Sequence, residues 1–184
     1  MEHYNGFVCG ERVCLRPIAD DDTGLIVKWR NDPYVKSFLL GQEDITPEDH
    51  LNWMNSRVRT GECLQFIIME PGAGACGTVM LKNIGRKEGE AEFGIFIGEP
   101  SGRGRGIGKE ATALMIGHAF GKLGLSALWL EVLETNPAAI HIYKSLGFKE
   151  LEELSGQVER GGRNVRLLHM RAERDGYRKA CAGS

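Results

Sequence analysis

The residues best suited to chemistry lie in one glycine-rich stretch, Ser101–Ala111, which reads SGRGRGIGKEA. Four glycines and two arginines occupy six of its first eight positions, and an apolar, helix-forming run follows. Glycines allow a ligand to approach the backbone closely, and consecutive free N–H groups at a helix N-terminus form a nest for anions. The stretch therefore predicts a site for a phosphate-bearing ligand, with the arginines adding positive charge.

Three phosphate-binding patterns can be tested against this stretch. A P-loop requires glycine five residues before its Gly-Lys pair and Ser or Thr after the lysine, whereas Arg103 and Glu110 occupy these positions. A dinucleotide-binding GxGxxA is present from Gly106 to Ala111, with Glu131 about twenty residues later. That motif normally follows its strand at once, and here several residues intervene. The third pattern, Arg-x-x-Gly-x-Gly, spans Arg103 to Gly108. An NAD(P)-dependent oxidoreductase and a plain surface turn stay open as alternatives.

The elements on either side of the glycines would position this site. GEAEFGIFIG before them alternates as a strand does, with Ala91, Phe93, Ile95 and Ile97 on one face. A helix to about Lys122 and the buried strand SALWLEVL follow. Asn136-Pro137 then begins a helix that ends at Gly147. Since Asn136 and Tyr143 are seven residues apart, they lie close to one helical face.

The rest of the chain supplies further helices and strands. Predicted helices include one after the aspartates at 20–22, one from Pro33, and one from Thr46-Pro47 to about Arg59. Predicted strands are 13–15, 63–70, 75–84, 148–154 and 164–170, with the last two joined through Gly161-Gly162. The pattern indicates one α/β (α+β) domain over residues 1–184, with a mixed central sheet of about six to seven strands flanked by helices.

Composition limits the classes of partner. The net charge of −2 argues against a nucleic-acid-binding surface. Neither a signal peptide nor a membrane span is visible, so a cytoplasmic location is expected. The five cysteines, at 9, 14, 63, 76 and 181, include no CxxC pair and predict reduced thiols rather than a disulfide framework. The histidines show no metal-binding spacing, so no metal is expected.

A strand is followed in order by RxxGxG, a helix, a second strand, Asn136, a further helix with Tyr143, and LGF. This order resembles the GNAT superfamily of acyl-CoA N-acyltransferases. The opening LRPIADDD…WRNDPYV and the segment TPEDHLNWM also resemble this superfamily, so the likeness covers almost the whole chain. These segments are similar to the branch of the superfamily that contains ribosomal-protein N-terminal, diamine and amino-sugar-nucleotide acetyltransferases.

This resemblance implies transfer of an acetyl group from acetyl-CoA to a primary amine by direct attack. The amine would belong to an amino-sugar nucleotide, a protein N-terminus or a polyamine, with the amino-sugar nucleotide slightly favoured. The resemblance also implies contacts to the coenzyme. Ile95, Phe96 and Ile97 would pair their backbone with the pantetheine amides. Asn136 would contact the pantetheine arm or a catalytic water. The pyrophosphate would be held by Arg103, Gly104, Arg105, Gly106, Ile107 and Gly108.

The resemblance assigns chemistry to three side chains. Tyr143 would protonate the departing thiolate, although it could also be a core aromatic, since Ala139, Ile142 and Leu146 share its side of the helix. Glu131 and Glu92 are the two candidates for the base that takes the amine proton. Glu131 is modestly favoured, because a carboxylate within LWLEV would be costly to bury without a reason.

Trp29, Arg30 and Asn31 are candidates for contact with the acceptor, because the resemblance places their segment over the acceptor site. For Trp29, packing at a helix end is an equally good interpretation. A homodimer is an open option, since dimers are frequent in the superfamily. A second alternative to the transferase is a non-catalytic acyl-CoA-binding module, against which the presence of Tyr143 argues.

Overall fold

The computed structural model describes residues 6–85 and 89–177. Its strands are β1 Val8–Cys9, β2 Cys14–Pro17, β3 Leu64–Glu70, β4 Gly74–Gly85, β5 Glu90–Ile97, β6 Ala127–Leu133, β7 Lys149–Glu150, β8 Gly156–Arg160 and β9 Arg163–Glu173. Its helices are α1 Thr23–Asn31, α2 Pro33–Lys36, α3 Pro47–Trp53, α4 Ile107–Gly121 and α5 Pro137–Ser145. A π-helical turn, Met54–Val58, prolongs α3 to about the predicted end.

The strands form one mixed sheet in the order β1-β2-β3-β4-β5-β6-β9-β7, and β8 pairs with β9. Neighbouring strands are antiparallel except β5 and β6, which run parallel. The α4 helix provides the crossover between these two strands, which a parallel pair requires. Among the described strands, this one parallel pair lies in the middle of the sheet, between two antiparallel halves.

Both faces of the sheet are covered at β3, and the sequence of that strand explains why. Phe66 and Ile68 lie in the main core with Met115 and Ile116 of α4. Ile67 faces the other way and packs with Ile26 and Trp29 of α1. Alternate strand residues point to opposite faces, so a strand buried on both sides is apolar throughout. The two clusters fix α4 and α1 on opposite faces of the sheet.

The expected mixed sheet flanked by helices is confirmed, but among the described residues it has nine strands instead of six to seven. The additional strands are β1, which has only two residues, and β8, whose residues are mostly exposed and show no apolar alternation. The predicted strand 148–154 is also corrected. Only Lys149–Glu150 pairs with β9, and a 3-10 turn at Glu152–Leu154 ends it.

The cysteine prediction is wrong for one pair. Cys9 and Cys14 face each other across β1 and β2 and form a disulfide. Cys63 and Cys76 are free and buried, and burial raises the pKa of their thiols to about 12 and about 11. Cys181 lies outside the described residues. Within residues 6–85 and 89–177, no helix is long and apolar enough to cross a membrane.

Candidate active site

The central parallel pair of strands separates along its length. β5 and β6 pair only from Glu90 to Glu92 and from Ala127 to Trp129. Beyond these residues β5 continues along β4, and β6 continues along β9, without a partner between them among the described strands. Unpaired N–H and C=O groups on the facing edges can bond an extended ligand in place of a strand.

A cavity of about 790 Å³ occupies this gap and extends to α1–α3. Its volume falls in the range of cofactor and small-molecule sites. Most of the predicted site residues line it together, namely Arg30, Glu92, Ile95, Phe96, Ile97, Arg103, Gly104, Gly106, Ile107, Gly108, Glu131, Asn136 and Tyr143. Trp29, Asn31 and Arg105 are not among its lining residues.

The glycine-rich loop adopts a shape that only glycine accepts readily. Gly104 and Gly106 have φ of 71° and 79°, in the left-handed region, and Gly106 caps the N-terminus of α4. The first N–H groups of a helix have no partner within it, and the positive end of its dipole favours an anion. Ile107 and Gly108 belong to this first turn and line the cavity. The loop therefore fits the pyrophosphate of a coenzyme.

The two arginines of the loop differ in their contacts. Arg103 donates from Nη2 to the carbonyl of Gly98 at 2.8 Å, and its guanidinium lies 3.9 Å from the ring centroid of Tyr34. Arg105 is directed to Glu70, with which it forms a two-pronged ion pair of 2.5 and 2.9 Å. Arg103 thus supplies positive charge to the cavity wall, although its Nη2 also lies 3.7 Å from the Asp32 carboxylate. The charge of Arg105 is neutralised more closely, by Glu70.

Tyr143 is buried on α5, where it packs edge-on against Phe93 and at a tilt against Phe148. Burial raises the pKa of its hydroxyl above the ordinary value, so the proton stays on the oxygen at neutral pH. The hydroxyl has no hydrogen-bond partner among the described residues, although the residue lines the cavity. A fixed ring with an available O–H can act as an acid for a bound group.

Among the described residues, one of the two candidate bases is bonded to neighbouring side chains, and the other is not. Glu92 is held by an ion pair with Lys82 and by the side-chain amide of Asn83, which donates at 2.8 Å. Glu131 is exposed on β6 and has no ion pair or hydrogen bond through its carboxylate within the described part of the chain. Because Glu131 is exposed, the expected energetic cost of burying its carboxylate is not incurred. Its carboxylate is the freer acceptor for a proton.

Asn136 has a local role in the fold. Its side-chain oxygen accepts from the backbone N–H of Ala139 at 3.2 Å and caps α5. The oxygen keeps a second lone pair and the amide NH₂ remains able to donate, so both groups can still bond a ligand or a water in the cavity. The cap also fixes the first turn of the helix that carries Tyr143.

The predicted acceptor residues separate into one that lines the cavity and two that support its wall. Arg30 lines it, and burial lowers the pKa of its guanidinium. Trp29 is 1% exposed, bonds Glu99 at 2.7 Å through Nε1, and meets Phe96 edge-on. Asn31 bonds both the N–H and the carbonyl of Ile45, each at 2.9 Å. Asn31 thereby fixes the loop that precedes α3.

The sequence did not predict most of the cavity-lining residues that come from α2, α3 and the segment between them. The missed lining residues include Tyr34, Phe38, Leu40, Asp49, His50 and Trp53. The apolar and aromatic residues among them show only a spacing that is also typical of core packing. Within residues 6–85 and 89–177, no group of three or more His, Cys, Asp or Glu side chains could hold a metal ion.

Residues 12–149 match the family described as "Acetyltransferase (GNAT) domain". The chain belongs to this family. It is 30% identical over 163 residues to an N-acetyltransferase 9-like protein of Caenorhabditis briggsae, covering 83% of this chain and 82% of that one. It is also 30% identical over 162 residues to spermidine N(1)-acetyltransferase of Escherichia coli K12, covering 87% of this chain and 81% of that one.

The fold of this GNAT acetyltransferase is shared with spermidine N-acetyltransferase of Vibrio cholerae, whose structure was determined with CoA and spermine. The TM-score is 0.82 at 22% identity, over 91% of this chain and 99% of the other. The single GNAT-like α/β fold and the acyl-CoA-dependent N-acetyltransferase activity with acetyl-CoA as donor are thereby confirmed. The oxidoreductase and non-catalytic alternatives are not supported.

Proposed function

We propose that this enzyme acetylates a primary amine by direct attack within the gap between β5 and β6. The observation that carries the proposal is the presence of the glycine-rich loop, Tyr143 and Glu131 along one cavity, although they come from three separate segments. Acetyl-CoA supplies an activated thioester there. The remaining requirements are that the chain hold the coenzyme, take a proton from the amine and return one to the thiolate.

Backbone groups provide most of the coenzyme site. Ile95, Phe96 and Ile97 lie where β5 has lost its parallel partner, so their free edge can bond the pantetheine amides. The left-handed Gly104 and Gly106 shape the nest at the start of α4 for the pyrophosphate. Arg103 adds charge from the cavity wall, and Arg105 contributes mainly by anchoring the loop to Glu70.

Tyr143 is the proposed acid and Glu131 the proposed base. Packing against Phe93 and Phe148 fixes the Tyr143 ring, and burial raises its pKa, so the hydroxyl is protonated and able to donate. Glu131 is preferred to Glu92 because Lys82 and Asn83 occupy both oxygens of Glu92. A carboxylate whose two oxygens are already bonded is less available to a substrate amine.

Among the three classes of acceptor, a polyamine is best supported. The E. coli relative is a spermidine N(1)-acetyltransferase, and the V. cholerae protein was crystallised with spermine. An amino-sugar nucleotide and a protein N-terminus are the other candidates. A homo-oligomer is also proposed, because one V. cholerae neighbour, with a TM-score of 0.76, is described as dodecameric. A homodimer and a cytoplasmic location remain predictions.

The test measures release of the free thiol from acetyl-CoA with spermidine, a short peptide with a free N-terminus, and an amino-sugar nucleotide. Spermidine is expected to give the highest kcat/KM. Glu131→Gln should lower the rate below that of the wild type, whereas Glu159→Gln, at an exposed position on β8, serves as the matched control. A higher kcat/KM with another amine would show that a polyamine is not the preferred acceptor. A larger loss with Glu92→Gln than with Glu131→Gln would transfer the role of base to Glu92.

A further inference from the structure

The turn between β1 and β2 lies directly against the glycine-rich loop, although about ninety residues separate them. Arg12, in this turn, donates from Nη1 to the carbonyl of Arg105 at 3.0 Å. Its backbone N–H and Nε both bond the carboxylate of Glu110, at 2.7 and 3.0 Å, in the first turn of α4. One arginine therefore joins the loop to the helix that follows it.

Two glycines show how closely these segments are fitted. A Cβ atom on Gly10 would stand 2.5 Å from the Glu110 carboxylate, and one on Gly106 would stand 3.1 Å from the Arg12 guanidinium. Glu110 also accepts from the N–H of Val13 at 3.3 Å. Burial alone would raise the pKa of Glu110, but the hydrogen bonds from Arg12 and Val13 lower it overall. The carboxylate is thus kept ionised between the two segments.

The contact with the Arg105 carbonyl has a consequence for the next N–H group. In a trans peptide the carbonyl and the following N–H are coplanar and point in opposite directions. Arg12 therefore fixes the direction of the Gly106 N–H by holding the Arg105 oxygen. Gly106 lines the cavity, and its N–H belongs to the proposed pyrophosphate nest. Arg12 acts through this peptide without lining the cavity itself.

The disulfide determines how firmly the turn is held. β1 contributes only two residue pairs to the sheet, and one of them is Cys9 with Cys14. The turn between them is closed by one backbone bond, from Gly10 N–H to the Val13 carbonyl at 2.9 Å. Cys9 is exposed and Cys14 is half-buried, so a reductant can reach the bond. A covalent link between the two short strands holds the turn in addition to its few hydrogen bonds.

We propose that Arg12 is a positioning residue for the coenzyme loop and that the Cys9–Cys14 disulfide makes coenzyme affinity depend on redox state. In the reduced form the S–S bond becomes two thiols by uptake of two electrons and two protons from a dithiol reductant, which becomes a disulfide. The turn then loosens, and the Arg105–Gly106 peptide loses its fixed orientation. The proposal rests on the proposed function in that residues 103–108 hold the coenzyme.

The test measures the Kd of desulfo-coenzyme A, which has no thiol to exchange with the protein. A phosphine reductant is used, and intact mass confirms reduction. The wild type should bind several-fold more weakly when reduced, up to about tenfold, the size expected for the loss of one hydrogen bond of typical strength. Cys9→Ser/Cys14→Ser should bind as the reduced wild type does. Arg12→Ala should bind weakly and respond little to reduction, whereas Glu11→Ala, in the same turn, should behave as the wild type.

A phosphate-free donor separates positioning of the loop from general loosening of the fold. The KM for S-acetylpantetheine should be the same in both redox states and in Arg12→Ala, because this donor cannot use the nest. Equal Kd values for the two redox states of the wild type would overturn the inference alone, as would an equal shift with S-acetylpantetheine. Absence of desulfo-coenzyme A binding in every form would overturn the proposed function as well.

Discussion

The two sides of the cavity are built in different ways. The proposed coenzyme side consists largely of backbone, from the free edge of β5 and from the left-handed glycines before α4. The proposed acceptor side consists of side chains from α1, α2, α3 and the connecting loop, among them Tyr34, Phe38 and Trp53. A backbone site depends on a few conformations, whereas a side-chain site depends on many contacts. Substitutions on the two sides should therefore affect different kinetic constants.

Tyr143, which lines the cavity between the two sides, should show the largest effect. Tyr143→Phe removes the hydroxyl but keeps the ring against Phe93 and Phe148, so folding should be preserved. Loss of an acid should lower kcat by about 10²–10⁴-fold with coenzyme affinity almost unchanged. Turnover is measured at a pH where chemistry limits the rate.

The alternative role of Tyr143 as a packing residue makes the opposite prediction. Tyr143→Phe would then be almost silent in turnover. Tyr143→Ala should lower the free energy of unfolding by roughly 3–5 kcal/mol under either role, because the ring is buried. Turnover of Tyr143→Phe therefore distinguishes the two roles, and its denaturation midpoint checks that the fold is intact. Near-normal kcat for Tyr143→Phe would assign the proton to water or to another group.

On the coenzyme side, Gly106→Val should weaken coenzyme binding by about tenfold or more, because a non-glycine residue at φ of 79° strains the loop by about 1–3 kcal/mol. The new Cβ would also crowd Arg12. The acceptor KM should change much less. Isothermal titration with CoA provides the measurement, and Gly121→Val, at the open end of the same helix, provides the control. Unchanged affinity in a folded Gly106→Val would place the phosphate site elsewhere.

The same contrast explains what the sequence could and could not predict. Glycines at alternate positions before a helix predict a backbone nest, and every residue of the predicted loop except Arg105 lines the cavity. Contacts between distant side chains leave no local pattern. Trp29 bonds Glu99, seventy residues away, and Arg105 turns to Glu70, thirty-five residues away. Burial of Trp29 and neutralisation of Arg105 follow only from these tertiary contacts.

The missed disulfide had a local signal. In CGERVC, two cysteines flank a four-residue segment that begins with glycine, which suits a hairpin turn. Because facing residues of a short antiparallel hairpin lie close together, this spacing brings the two sulfurs within bonding distance. The absence of CxxC and the odd number of cysteines obscured this pattern. Cysteine spacing is thus best interpreted together with the strands that carry it.

On the acceptor side, Asn31→Ala should raise the acceptor KM several-fold and leave the CoA affinity unchanged. The variant loses two hydrogen bonds to Ile45, each worth about 0.5–1.5 kcal/mol, and so loosens the loop beside the acceptor wall. Asn52→Ala, on the exposed face of α3, is the matched control. A change in CoA affinity of similar size would show that the two sides are mechanically coupled.

The smallest effect concerns His50, a buried residue of the acceptor wall whose Nδ1 lies 3.0 Å from the Thr23 hydroxyl. Burial lowers its pKa, and the nearby Asp22 and Asp20 oppose this only in part. Unfolded His50 takes up a proton near pH 6.5, whereas the folded protein does so only at lower pH. As the pH falls below about 6.5, the unfolded state binds more protons and the free energy of unfolding decreases. His50→Gln should reduce this pH dependence, measured by urea denaturation between pH 8 and pH 5. His141→Gln, at an exposed site on α5, should retain it, and an unaltered slope in His50→Gln would mean that other groups cause the acid destabilisation.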